Sequence, residues 1–254
     1  MPRFRFAIAA VAVLALGACT TTGGGSGTST AITAAVADPA RPTADRARDG
    51  DRHPAELMAF AEVKPGQTVA DYMPGTGYFT RIFAKAVGPG GHVHALFPEF
   101  MARFDKHDAD EVRALVAEPG YANVSFETTP DAEFKTDGPF DLVWTSDNYH
   151  DLQFGLNHDQ IIALDKAIYA SLKPGGIFLV IDHVAAPGAG WSLAKTLHRI
   201  EPSAIEADMS AAGFKLEAES GVLRNPKDPR TAVIFDPSIR GHTDQVVLRF
   251  RKPG

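Results

Sequence analysis

The sequence predicts an α/β fold: a doubly wound, mostly parallel, seven-stranded sheet with helices on both faces and an antiparallel C-terminal edge pair. Three observations carry this. From residue 44 onward, short apolar strands alternate with amphipathic helices. Ile177-Phe-Leu-Val-Ile181 is a continuous apolar run, as a strand buried on both faces requires. The last helical stretch, 202–212, is followed by two strand-like runs, 214–219 and 245–251, with no helix between them.

The elements follow in order. Arg3 and Arg5 precede an apolar run, Phe6 to Ala18, that is too short to span a bilayer and has the length of a secretory leader core. It ends Leu16-Gly17-Ala18-Cys19, which resembles the lipobox of bacterial lipoproteins. In that family the residue matching Cys19 is acylated and becomes the new N-terminus. The resemblance implies a membrane anchor through lipidated Cys19 alone and a place in the cell envelope, on the periplasmic side. An ordinary secretory signal with a chance cysteine is the alternative. Residues 19–39 are rich in Thr, Ser, Gly and Ala and read as a flexible tether, so the folded domain is expected over 40–254.

Residues 44–62 carry apolar positions at helical spacing, with a break or restart at Pro54. Thr68–Tyr72 reads as the first strand, Met73–Gly77 as a loop and Tyr78–Val87 as a helix stopped by Gly88-Pro-Gly-Gly91. His92–Phe97 is a strand, 99–117 a helix, and Val124–Phe126 and Phe140–Thr145 are strands. Asp159–Leu172 is an amphipathic helix ended by Lys173-Pro-Gly-Gly176, and Pro202 opens a helix that Gly213 caps. Right-handed crossovers between parallel strands put the ligand at the strands' carboxyl ends. The site is therefore expected among residues 73–78, 97–100, 146–151 and 182–191.

The first chemical motif is Asp71-Tyr-Met-Pro-Gly-Thr-Gly-Tyr78. Gly75 and Gly77 permit sharp bends and close backbone approach to a ligand. The helix N-terminus that follows offers free N–H groups to a carboxylate, and Asp71 offers a counter-charge to an ammonium. The set suits a zwitterionic amino-acid moiety, although a turn that needs glycine for packing alone gives the same pattern.

With the strand Phe140-Asp-Leu-Val143, the run Leu172-Lys-Pro-Gly-Gly176 and the terminal Ala212-Gly-Phe214, this loop resembles the class I, Rossmann-like S-adenosylmethionine (SAM)-dependent methyltransferases, from about residue 44 to the C-terminus. A narrower resemblance is to bacterial predicted methyltransferases carrying a secretion leader. It rests on Asp45-Arg-Ala-Arg-Asp49, Arg52-His-Pro54, Asn148-Tyr-His150, Leu197-His-Arg-Ile200 and Phe235–Asp244. The resemblance implies SAM as cofactor, held by Asp71, Pro74, Gly75, Thr76, Gly77, Tyr78, Asp147 and Asn148. Two positions depart from the family: Met73 stands where a glycine is usual, and Phe97 where an acidic residue grips the ribose. Glu99 is then the expected ribose ligand and Asp131 the expected adenine contact.

Asp147-Asn-Tyr-His-Asp151 follows the fourth strand, where the family places its methyl acceptor. His150 is the candidate general base, with Asp147 beside it; capping the turn and packing on the sheet is the plainer role for these side chains. Tyr149, His183, Trp191 and His198 are expected to border the acceptor. His198 and Arg199 are expected to pair with carboxylates of the N-terminal helix or to close the site. The spacing of Asp147, His150 and His183 matches no compact metal motif, so no metal is expected.

The single cysteine, Cys19, lies in the leader, which excludes an internal disulfide, a thiolate metal site and a cysteine nucleophile in the remainder. A net charge of -6 and the lack of a basic, aromatic-studded patch speak against nucleic acid as a partner. The expected function is methyl transfer from SAM to a small-molecule acceptor by a lipoprotein. Because SAM is made in the cytosol, a non-catalytic ligand-binding lipoprotein that keeps the fold is the rival.

Overall fold

The computed structural model describes Met1, residues 25–136 and residues 138–254. The leader and Cys19 lie outside the described residues. Among the described residues four helices come first: α1 (Gly25–Val36), α2 (Thr43–Arg46), α3 (Asp49–Arg52) and α4 (Pro54–Phe60). Then follow β1 (Thr68–Tyr72), α5 (Tyr78–Val87), β2 (His92–Pro98), α6 (Glu99–Phe104), α7 (Lys106–Val116), β3 (Val124–Thr129) and β4 (Phe140–Ser146). The second half holds α8 (Leu152–Gly155), α9 (His158–Ser171), β5 (Leu172–His183), α10 (Ala194–Leu197), α11 (Pro202–Ala212), β6 (Lys215–Ser220) and β7 (Gln245–Arg251).

Among the described residues the strands form one sheet in the order β3-β2-β1-β4-β5-β7-β6. Neighbours are parallel from β3 through β5, and β7 is antiparallel to both β5 and β6. The chain lays β2 and β3 on one side of β1, then returns to place β4 on the other. The strand order therefore reverses between β1 and β4.

Strand periodicity assigns side chains to the two faces. Val69, Val93, Leu142, Trp144, Leu179 and Ile181 join one buried cluster with α1, α4, α5 and α7. Ala70, Leu96, Val143, Phe178, Val180 and Leu248 join the other with α9 and α11. The expected helix over 99–117 is two helices. The chain breaks at Asp105, whose side chain accepts the Asp108 N–H and caps α7.

One boundary is corrected. Residues 25–36, counted in the tether by composition, form α1, and Ile32 and Ala35 are 3% and 2% exposed against the sheet-facing cluster. Burial of those two apolar side chains offsets the low helix propensity of the Thr/Ser/Gly stretch. Among the described residues, no helix is long and apolar enough to cross a membrane.

Candidate functional site

A cavity of about 570 Å³ opens at the carboxyl ends of β1, β2, β4 and β5, over the point where the strand order reverses. Its floor begins with Asp71 at the end of β1. Asp71 is 2% exposed and accepts a 2.6 Å hydrogen bond from Thr80 Oγ1 on α5. Burial pushes its carboxyl up to about 7, against the opposing pull of the Thr80 hydrogen bond and the Arg52 charge. Met73, Pro74, Gly75, Thr76 and Tyr78 continue the wall.

Gly75 has φ +56, and a Cβ there would point toward Asp108 Oδ2 at 3.5 Å. Gly77 does not line the cavity. It caps α5 at φ +84, and a Cβ there would press on Leu115 and Val112 of α7. Met73, in the place where a glycine is usual, also adopts a left-handed φ of 57. The burial of its side chain at 3% exposure compensates for that conformation.

Phe97, next to last in β2, lines the cavity. Glu99 turns outward and pairs with Arg103, so the expected ribose contact is not formed by this residue. Asp131 also stands apart from the cavity. It accepts the Phe100 N–H at 2.5 Å and pairs with Arg103, fixing the start of α6. On the β2 side the acids that line the cavity are Asp105 and Asp108, around the start of α7, and burial and then Asp105 push the Asp108 carboxyl up. The sequence reads both only as positions of a helix over 99–117. Helical spacing alone does not reveal which turn abuts the glycine loop.

On the β4 side, Asp147 adopts φ 66 and is held by Arg52 at 3.0 Å and Gln245 Nε2 at 2.9 Å. Asn148 donates to the Met73 carbonyl at 2.5 Å and ties the two loops together. Arg52 itself stacks over Tyr78 and Phe79 at 4.6 and 4.9 Å. With Arg48 it makes one side of the cavity positive. The signal for these arginines was the Asp45–Pro54 segment, which marked a resemblance but gave no geometry.

His150 touches the cavity wall yet is 0% exposed. Its Nδ1 lies 2.6 Å from Asp182 Oδ1, its backbone N–H donates to Asp182 Oδ2 at 2.8 Å, and its Nε2 lies 3.0 Å from Asp151 Oδ1. Burial pulls the imidazole pKa down, but Asp182 and Asp151 outweigh it and hold it at about 10. Asp151 is pulled the other way: burial raises it, and its hydrogen bonds to His150 and His198 bring it to about 2. An imidazolium with both nitrogens engaged has no lone pair to take a proton. The general-base role expected of His150 is therefore not what this geometry provides, because a carboxylate sits on each side of the ring. Asp182 was missed. Its signal is an acid continuing a wholly apolar strand, which is buried and needs a partner.

His183 and His198 line the cavity as expected. His183 Nδ1 meets Thr243 Oγ1 at 2.7 Å, and burial lowers its pKa. His198 Nδ1 pairs with Asp151, not with an N-terminal carboxylate. Arg199 is fully buried and pairs with Asp228 at 2.8 Å while donating to the Val184 and Ala232 carbonyls. Tyr149 and Trp191 are not wall residues. Tyr149 lies in the core with its hydroxyl on Asp165, and Trp191 packs on Tyr149 with its indole N–H on Asp208. Phe154 and Phe235 border the cavity instead, on either side of His198.

No protein-family model matches the chain. A ubiquinone/menaquinone biosynthesis C-methyltransferase, UbiE, of Hydrogenovibrio crunogenus is 37% identical over 137 residues, covering 52% of this chain and 46% of the relative. The UbiE of Klebsiella pneumoniae is 30% identical over 190 residues, covering 74% and 64%. The chain spans about half the length of the first curated relatives it matches. Among solved structures, a SAM-dependent methyltransferase from Aquifex aeolicus superposes with TM-score 0.52 at 15% identity, covering 77% of this chain and 87% of its own. The glycopeptide N-methyltransferase MtfA complexed with SAM gives 0.53 at 16%, covering 79% and 87%. The [4+2]-cyclase SpnF gives 0.60 at 17%, covering 80% of each chain, so the fold by itself does not name the reaction. Strand order, crossovers and these superpositions agree: the chain has the fold of class I SAM-dependent methyltransferases.

Proposed function

We propose that this chain is a SAM-dependent methyltransferase for a small-molecule acceptor, held at the cell envelope through lipidated Cys19. The observation that carries the catalytic part is the cavity over the β1–β4 reversal, floored by a buried carboxyl and edged by a left-handed glycine. The similarity to C-methyltransferases supports it. A volume of about 570 Å³ lies within the usual range for small-molecule sites. Asp71 would hold the ammonium of the cofactor's methionine part, and N–H groups at the start of α5 its carboxylate. Gly75 leaves room for the backbone to approach. Asp108 takes the ribose role first assigned to Glu99, beside the apolar Phe97 and Met101. SAM supplies the activated methyl group; the chain supplies proximity and alignment. The acceptor would lie toward His183, His198, Phe154 and Phe235, whose two phenyl rings suit a flat molecule.

The envelope part rests on the Leu16–Cys19 motif alone. Its test is Cys19→Ala with fractionation. The wild-type protein should sediment with membranes and the variant should not; equal partition of the two removes the anchor.

The test of the site is calorimetric titration of S-adenosylhomocysteine (SAH) into the protein. Micromolar binding that is lost in Gly75→Val supports the reading, and failure of a folded sample to bind sinks it. A second reading, a ligand-binding lipoprotein without catalysis, is favoured by one observation: the polar atoms of Asp147 and His150 are already engaged. Transfer of labelled methyl from SAM to any small acceptor removes that reading.

A further inference from the structure

His150, Asp151 and His198 bring three potential ligand atoms together. His150 Nε2 is 3.0 Å from Asp151 Oδ1 and 3.2 Å from His198 Nδ1, and His198 Nδ1 is 3.1 Å from Asp151 Oδ1. With Asp151 as a carboxylate, no arrangement of protons satisfies all three contacts. If both imidazoles donate to Oδ1, two N–H groups face each other across 3.2 Å. If His198 Nδ1 accepts from His150, its lone pair also faces the carboxylate. A nearly equilateral triangle of this size is what a metal ion demands. Bonds of about 2.0–2.2 Å at right angles separate neighbouring donors by about 2.8–3.1 Å, and tetrahedral bonds by about 3.3–3.6 Å.

We propose that His150 Nε2, Asp151 Oδ1 and His198 Nδ1 form a binding site for one divalent first-row transition ion. Two imidazoles and one carboxylate on one side of the ion are a donor set for Zn²⁺ or Fe²⁺ rather than for Ca²⁺ or Mg²⁺. The surroundings fit the role. Asp182, fully buried, holds His150 Nδ1 at 2.6 Å and so aims Nε2 at the triangle, the arrangement by which carboxylates orient metal-binding histidines. His198 is held in a left-handed backbone conformation, φ 54, with its ring stacked on Phe154 and edge-on to Phe235. The carboxylates Asp151 and Asp182 balance the double charge of the ion, which takes the place of the Nε2 proton. All three ligands line the cavity, so the remaining positions of the ion face it. An oxygen of the acceptor would complete the shell there; that role rests on the methyl-transfer reading, whereas binding of the ion does not.

The test is titration of ZnCl₂ into the metal-stripped full chain by calorimetry, repeated with CoCl₂ in a visible spectrophotometer. One equivalent is expected to bind at micromolar concentration or below, with cobalt bands that saturate at the same point. His198→Ala, at a partly exposed position, should keep the circular dichroism of the wild type and lose at least a hundredfold in affinity. Asp182→Asn should lose ten- to a hundredfold, as expected for a residue that orients a ligand. His92→Ala, at the amino end of β2 and so at the opposite end of the sheet from the cavity, should change nothing. No binding at one equivalent, or binding that survives His198→Ala, overturns the site. SAH titration of the same stripped protein tests the cofactor reading separately, so the two fail independently.

Discussion

Asp71→Asn separates what Asp71 does for the fold from what it does for a ligand. The carboxyl is 2% exposed and its pKa is raised from 3.8 to about 7, chiefly by burial. At about 1.4 kcal/mol per pKa unit, that rise corresponds to about 4 kcal/mol of strain against the charged form. Its sign follows from proton linkage. The folded state holds the proton more tightly than the unfolded chain. The stability that comes from the protonated carboxyl is therefore fully present below pH 3.8 and is lost as pH rises through about 7. Asparagine carries no charge and still offers Thr80 an oxygen to donate to. The variant should be more stable than the wild type, by a margin that grows by about 2–3 kcal/mol from pH 5 to pH 8. Urea denaturation at the two pH values measures it. SAH affinity should move oppositely: in the wild type it rises from pH 6 to pH 8 as Asp71 ionises against the ligand's ammonium, while in the variant it is at least tenfold weaker and flat with pH. A stability gain that does not change with pH would refute the burial argument. Unchanged SAH affinity would refute the ammonium contact.

The two glycines of the loop should part company. Gly75→Val strains a left-handed position and faces Asp108, so SAH affinity falls at least tenfold while the fold survives. Gly77→Val drives its side chain into Leu115 at 3.2 Å and Arg81 at 3.3 Å, and should cost about 2–4 kcal/mol in urea denaturation. Arg199→Met leaves Asp228 buried without its partner and should cost about 3–5 kcal/mol, read as a lowered urea midpoint. A chain beginning at residue 40 loses α1 and the burial of Ile32, worth about 1.5–3 kcal/mol, and should melt at a lower temperature than one beginning at residue 25.

Much of the fold was legible because strand and helix periodicity are local properties. Val69, Leu142, Leu179 and Ile181 alternate with Ala70, Val143, Phe178 and Val180 because each strand is two-faced, and the sheet topology follows from the crossovers. The glycine loop, Asp71 and the His150 segment were legible for the same reason, since the carboxyl end of a parallel sheet is where loops gather. What failed depended on docking. The α1 stretch reads as tether because its composition is poor, and only contact with the sheet-facing cluster makes Ile32 and Ala35 worth ordering. Trp191 reads as a pocket wall, but its indole N–H finds Asp208 in the core.

The sequence by itself determined the class of fold, the end of the sheet that holds the site and the loop that edges it, because these follow from patterns within a few residues. Only the tertiary structure decided which charges meet. His150 and Asp182 are 32 positions apart, and His150 and His198 are 48 apart. A pair at such separations is set by how strands register and where loops cross. That is why a residue that reads as a free base turns out to be gripped on one side by Asp182 and on the other by Asp151.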